Sequence, residues 1–121
     1  MTQNMLGTSL KTFHWGYFDA TLPPAMTISS GDEVVINTVS GGPQNLPGAG
    51  FHVPQELLDL HAAGLPTMPG HILTGPVAVQ GAMPGDVLQI DILDVSLRQD
   101  WGFNYLGPLK EMWKQWQVEH D

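Results

Sequence analysis

Two short stretches of the same form decide how this chain folds: residues 30–36 (SGDEVVI) and residues 84–90 (PGDVLQI). In each stretch a glycine allows the positive φ of a tight turn, and an aspartate can accept a hydrogen bond from the neighbouring backbone. An aliphatic run follows at once, which is typical of a strand. Both stretches are therefore predicted to turn the chain and start a strand.

The second of these strands is predicted to be long, from about residue 86 to residue 98. Its apolar side chains change face along the way: Leu88, Ile90 and Ile92 share one side, and Leu93, Val95 and Leu97 share the other. A bend or bulge near Ile92 would reconcile the two sets, as where a strand passes between two packed sheets.

Further strands are predicted at residues 10–18, 26–29, 33–39 and 75–80, separated by a glycine- and proline-rich connection over residues 41–69. Inside that connection the leucines of residues 54–63 recur at helical spacing, with Pro54 suited to the first turn and Gly64 to the C-terminal cap. A second, amphipathic helix is predicted over residues 109–120, where Trp113 and Trp116 lie on one stripe.

Length and composition agree with short strands and many turns. The chain has 121 residues, of which 14 are glycine and 10 proline, while only 13% are charged. This size fits one domain, residues 1–121, and the composition disfavours a helical bundle. The predicted fold is mainly β, a β-sandwich or barrel-like unit of short strands with one or two short helices.

The charge balance excludes several classes of partner and site. Twelve acidic and four basic residues give a net charge of −8, which disfavours binding to nucleic acid or to an anionic membrane. Without any cysteine, a metal must be held by histidine, carboxylate or backbone oxygen. Since neither a secretory leader nor a long apolar run is visible, a cytoplasmic location is expected.

Two of the five histidines stand in notable surroundings. His71 lies between Pro-Gly and an apolar strand, and His14 lies in an aromatic strand. Each is a candidate ligand or catalytic group, and the alternative for each is a hydrogen-bonded structural histidine. No pair of histidines has the i, i+4 spacing of a metal-binding helix, and His52, His61 and His120 are expected to be solvated.

Among the carboxylates Asp19, Asp91 and Asp94, one remains a candidate site residue. Asp91 and Asp94 are three apart on a predicted strand and therefore lie on opposite faces. Asp19, beside aromatic residues at a strand end, is either a site residue or a turn residue. Strand alternation would place Asp19 and His14 on opposite faces unless Gly16 forms a bulge.

Several blocks in order carry a family resemblance. Residues 14–20 (HWGYFDA), 22–24 (LPP), 70–77 (GHILTGPV) and 84–88 (PGDVL) resemble successive blocks of the acetamidase/formamidase family, over roughly residues 12–105. The resemblance implies a β-rich enzyme fold that hydrolyses small linear amides, such as formamide or acetamide, to a carboxylate and ammonia. It also implies a divalent metal, with zinc the expected ion.

The resemblance assigns site roles residue by residue. His71 is carried over first, as a metal ligand or catalytic group, followed by His14 as a metal ligand and Asp19 as a catalytic residue. Because the family's chains are longer, the chain is expected to be part or a subunit of an amidase, completed by a second chain or by a homo-oligomer. The alternative is a non-catalytic β-domain that acts in binding or self-association.

Overall fold

A computed structural model describes residues 3–65 and 71–104. In chain order its elements are β1 (Gln3–Gly7), β2 (Phe13–Trp15), β3 (Met26–Ile28), β4 (Glu33–Asn37), a 3₁₀ turn (Pro43–Asn45), α1 (Gln55–Ala62), β5 (Ile72–Thr74) and β6 (Val77–Val79). Six strands and one α-helix confirm the predicted mainly β class.

The six strands form three two-stranded ladders. Strand β1 runs parallel to β4, β2 antiparallel to β5, and β3 parallel to β6. Within the described residues these ladders do not close into a barrel. The parallel pairs join strands far apart in sequence, so most of the pairing depends on long-range contacts.

Both predicted glycine-aspartate turns are present with the expected chemistry. Gly31 has a φ of 89° and Gly85 a φ of 99°. The Asp32 carboxylate accepts a hydrogen bond of 2.9 Å from the Ser29 N–H, and Asp86 accepts one of 2.8 Å from the Met83 N–H. The first turn leads directly into β4, as predicted.

The prediction of a strand after the second turn is wrong. Residues 87–97 contain neither turn nor bend, but they pair with no strand among the described residues, because all six strands there are paired with one another. The side chains of this segment remain in solvent: Val87 is 95% exposed and Ile92 79%. A strand is assigned by its hydrogen-bonded partner, and the apolar pattern alone does not supply one.

Helix α1 confirms the helix predicted at residues 54–63. Pro54 immediately precedes it, and Gly64 follows its end with a φ of 61°. Leu57 and Leu60, three residues apart on one face, are buried. They form the core with Val39 and Ile72, and Phe13, Trp15, Leu46, Val53 and Trp101 pack against it. The helix therefore packs against the β2–β5 ladder.

A buried threonine joins two of the ladders. The Thr8 hydroxyl, just beyond β1, donates to the carbonyl oxygen of Asn37 at 2.9 Å, and its oxygen lies 2.6 Å from the Thr74 hydroxyl. Since the single Thr8 hydroxyl proton is used on Asn37, Thr74 must be the donor in the second bond. This chain of bonds ties the β1–β4 ladder to β5.

Some other predictions differ from the structure in the strands they name, and one concerns residues outside the described ranges. Strand β1 was not predicted, and the apolar run after His71 is divided at Gly75 into two strands with different partners. The predicted helix at residues 109–120 lies outside the described residues. No helix in the described ranges is long and apolar enough to cross a membrane.

Candidate functional site

The β2–β5 ladder holds both candidate histidines. In its register His14 faces Leu73, and Trp15 faces Ile72. The pairing extends one step beyond the strands, since the Gly16 N–H donates to the His71 carbonyl oxygen at 2.9 Å. At the other end the Gly75 N–H donates to the Thr12 carbonyl oxygen at 2.8 Å. The backbone of both histidines is therefore fixed by one ladder.

The two faces of this ladder have different tasks. Phe13, Trp15 and Ile72 lie on the face that packs on the core. By strand alternation His14 and Leu73 lie on the opposite face, and His71 immediately precedes β5.

His14 has an imidazole nitrogen without a partner. The side chain is half-buried, and its Nδ1 is buried without a hydrogen-bond partner among the described residues. Its ring meets the Tyr17 ring edge to face, with centroids 5.7 Å apart. A buried nitrogen left without a partner costs about 1–3 kcal/mol. Nδ1 is therefore closed off from solvent and without a partner in the described part of the chain, and the choice between a site histidine and a structural histidine stays open.

His71 differs from His14 in its access to solvent. Its side chain is exposed, while its backbone carbonyl is held by Gly16. The imidazole of His14 on β2 is therefore half-buried, and that of His71, immediately before β5, is exposed. Imidazoles act both as metal ligands and as general acid–base groups, so this arrangement fits either use. Their metal-binding and catalytic roles stay predictions.

Asp19 forms a tight turn. Its Oδ1 accepts hydrogen bonds from the Thr21 backbone N–H at 2.8 Å and from the Thr21 hydroxyl at 2.7 Å. The Thr21 hydroxyl, and then its N–H, lower the pKa of the Asp19 carboxyl. The group is therefore ionised at neutral pH and is a weaker base than an ordinary aspartate. Its catalytic role stays a prediction.

The relation between Asp19 and His14 is not that of a continuous strand. Strand β2 ends at Trp15, and Gly16 takes a φ of 75°. Strand alternation therefore no longer relates the two side chains, and whether they share a site stays a prediction.

The described residues do not complete a metal site by themselves. A catalytic zinc ion usually takes three protein ligands and keeps one open position. Within residues 3–65 and 71–104, no group of three or more histidine and carboxylate side chains could hold a metal ion. The predicted roles of His14 and His71 as metal ligands therefore stay predictions.

The other polar groups have structural tasks. The expectation of a solvated His61 is wrong: its Nε2 lies 3.0 Å from the Gly41 carbonyl oxygen, and its Nδ1 is buried. His52 is exposed as expected, and His120 lies outside the described residues. Asp91 and Asp94 accept hydrogen bonds only from nearby side chains, Gln89 and Ser96.

Sequence analysis missed two groups beside His14. Tyr17 contacts the imidazole edge to face, and the buried Trp15 Nε1 has no hydrogen-bond partner in the described part of the chain. Their closeness in sequence was visible. The contact of Tyr17 with His14 was not, because it depends on the backbone reversal at Gly16.

Comparison with known proteins supports the block resemblance. The family described as the Acetamidase/Formamidase family matches residues 8–113. A formamidase of Methylophilus methylotrophus is 55% identical over 38 residues, which are 30% of this chain and 9% of that protein. An acetamidase of Mycolicibacterium smegmatis is 59% identical over 28 residues, 23% of this chain and 7% of that protein. The chain thus covers only a small part of these relatives.

No solved structure matches the chain. The family match includes both strands of the histidine ladder and extends over most of the sequence. On this evidence the chain belongs to the acetamidase/formamidase family.

Proposed function

We propose that this chain is part of an amidase that hydrolyses small linear amides of the formamide and acetamide type to a carboxylate and ammonia. The observation that carries the proposal is the family match over residues 8–113, which includes the ladder bearing His14 and His71. The formamidase and acetamidase among the relatives suggest the substrate class.

The proposed roles follow from the demands of amide hydrolysis. Water must attack a resonance-stabilised carbonyl, and the leaving nitrogen must gain a proton. His14 on β2 has a buried Nδ1 without a hydrogen-bond partner among the described residues, and His71, immediately before β5, is open to solvent. In this proposal they bind and orient groups at the site, and Asp19 acts as an ionised carboxylate rather than as a proton donor.

The site is proposed to be incomplete in this chain. A catalytic zinc ion usually takes three protein ligands, and the described residues hold no group of three or more side chains that could bind a metal ion. A divalent metal, with zinc as the expected ion, would supply Lewis acidity. It would need further ligands from a second chain or a second copy of this one. Metal dependence, assembly and a cytoplasmic location are all part of the proposal.

The test compares the chain alone with an assembled enzyme. Purified chain with added Zn²⁺ is expected to release no ammonia from formamide or acetamide. Coexpression with the rest of the Methylophilus methylotrophus formamidase, outside the stretch matched here, is expected to restore release. Turnover by the isolated chain would refute the claim of incompleteness.

Histidine variants test the site within the assembled enzyme. His71→Ala and His14→Ala should each lower kcat/KM by about 10²-fold or more, since positioned acid–base groups contribute that much. His52→Ala is the matched control, because that exposed side chain lies off the ladder. Unchanged activity in both ladder variants would remove them from the site.

A second candidate function is a non-catalytic domain that binds another polypeptide. The exposed apolar residues 87–97 favour it, since exposed apolar patches often mark interaction surfaces. The same experiment separates the two functions: a stable assembly without ammonia release supports the binding domain and contradicts the amidase.

A further inference from the structure

Residues 87–97 form an unusual surface, here named the apolar strand. Its seven large aliphatic side chains are between 67% and 95% exposed: Val87, Leu88, Ile90, Ile92, Leu93, Val95 and Leu97. Soluble chains rarely leave so many adjacent aliphatic groups in water unless something binds them. The segment therefore needs a physical explanation beyond a surface loop.

Both ends of the apolar strand are anchored to the folded part. At its start, Asp86 closes the turn with the Met83 N–H. At its end, Arg98 donates to the Thr38 carbonyl oxygen at 3.1 Å and to the Glu56 carboxylate at 3.0 Å. Between these anchors the chain has neither turn nor bend. A straight segment fixed at both ends is preorganised for strand pairing and loses little further freedom on binding.

The residue pattern specifies the kind of surface that would cover this strand. Aliphatic groups occur at both even and odd positions, so both faces of the extended segment are apolar. Strands of this kind lie inside sheets that are covered on both faces. A partner must therefore offer strand edges for the backbone and apolar layers for both faces.

A second copy of this chain meets those needs poorly. Pairing two apolar strands edge to edge would leave both apolar faces in water. It would also bring together two chains that each carry a net charge of −8.

A larger polypeptide of the same family is better suited to supply the strand edges and the apolar layers. The 38 matched residues are only 9% of the Methylophilus methylotrophus formamidase, so that protein is more than three times as long as this chain. Such relatives have ample further polypeptide to supply a sheet and its covering layers.

We propose that the apolar strand docks this chain onto the remaining part of an acetamidase/formamidase, as an inner strand of a sheet that the partner completes. The proposal rests on the proposed function, because the same assembly would complete the histidine site. The backbone of residues 87–97 provides the hydrogen bonds, as in other cases of strand addition, and the side chains provide the buried area.

The test uses the intact chain, tagged and coexpressed with the rest of the Methylophilus methylotrophus formamidase. Two variants disable the apolar strand: Ile92→Asp places a charge on one face, and Ile90→Pro removes a backbone donor. The control is Leu10→Asp, which changes an exposed leucine outside the segment. Thermal unfolding of each isolated variant checks folding, and unchanged midpoints are expected because the altered side chains are largely exposed.

The expected result is stoichiometric copurification of the wild type and the control, with at least ~10-fold loss for both strand variants, a loss that corresponds to about 1.4 kcal/mol. Equal copurification of all four chains, or no complex with the wild type, would overturn the proposal. A wild-type homodimer of twice 13.2 kDa that Ile92→Asp dissolves would also overturn it, in favour of a second copy.

Ammonia release in the same preparations separates the two proposals. A complex that depends on the apolar strand but releases no ammonia supports docking and contradicts the amidase. Wild-type ammonia release in the Ile92→Asp preparation supports the amidase and overturns docking through this strand.

Discussion

Two apolar runs close together in the sequence have opposite fates. Residues 72–79 form β5 and β6 and pair with β2 and β3, whereas residues 87–97 pair with nothing in the described part of the chain. Both runs are rich in valine, isoleucine and leucine and would be predicted as strands. The difference teaches that an apolar pattern reports a need for burial, while the partner that satisfies it is a property of the whole assembly.

The same substitution in each run should give very different losses of stability. Ile72→Ala is expected to lower the free energy of unfolding by about 2–4 kcal/mol, because the side chain lies in the core beside Leu57 and Leu60. Ile92→Ala should change it by less than about 0.5 kcal/mol, because that side chain is exposed. Urea unfolding followed by tryptophan fluorescence measures both. Equal losses would show that the apolar strand is buried in the isolated chain.

Removing the hydroxyl bonds of Thr8, which tie the β1–β4 ladder to β5, should give the next largest loss of stability. Thr8→Val keeps the shape of the side chain but removes the hydroxyl bond to Asn37 and leaves the Thr74 hydroxyl without this partner, while the Asn37 carbonyl keeps its bond from the Thr8 N–H at 3.2 Å. A loss of about 1–2 kcal/mol is expected. Thr27→Val is the matched control, since Thr27 is an exposed strand residue. If both variants unfold at the same urea concentration, Thr8 does not tie the ladders together.

Local signals made much of the fold predictable. The positive φ at Gly31 and Gly85, the carboxylate bonds of Asp32 and Asp86, and the helix from Gln55 all follow from chemistry within a few residues. The pairing of β1 with β4 does not, because it joins residues about thirty positions apart in the sequence.

The two glycine-aspartate turns test the same difference between a paired and an unpaired segment, with a smaller expected loss of stability. Asp32→Ala should cost about 0.5–1 kcal/mol, because the turn leads into the paired strand β4. Asp86→Ala removes the same type of bond but leads into the unpaired segment, so its effect on global unfolding should stay below about 0.3 kcal/mol. The urea concentrations at the unfolding midpoints of the two variants measure these losses. A larger loss for Asp86→Ala would mean that the apolar strand belongs to the cooperative core.

The anchor of the apolar strand gives the smallest expected effect and a pH dependence. The Glu56 backbone N–H and the Arg98 guanidinium lower the pKa of the Glu56 carboxyl from its ordinary 4.5. The resulting stabilisation is therefore fully present above pH 4.5 and disappears as pH falls through the lowered pKa. Glu56→Gln should cost about 0.2–1 kcal/mol at pH 7, as is usual for a partly exposed ion pair.

Unfolding of wild type and variant across pH 2–7 checks this contribution. The two curves should converge at the acid end. The control is Glu33→Gln, since Glu33 forms no ion pair in the described part of the chain. A constant difference between wild type and Glu56→Gln down to the lowest pH would exclude ionisation of Glu56 as its cause.

The candidate site was predictable only in part. The block resemblance singled out His14, His71 and Asp19, and the structure places His14 on β2 and His71 immediately before β5, the strand that pairs with β2. The use of Asp19 Oδ1 by Thr21 was visible as a turn tendency, because the two residues are close in sequence. The unpartnered Nδ1 of His14 was not visible, since it depends on which groups the fold brings around the ring.

Hydrogen exchange of the isolated chain tests most directly the central claim, that a folded histidine ladder adjoins a strand with no partner of its own. The account predicts that backbone amides of β2, β4 and β5 exchange at least ~100-fold more slowly than those of residues 87–97, whose rates should approach those of an unstructured peptide. Comparable protection in all of these segments would contradict it, because residues 87–97 would then already be paired within this chain.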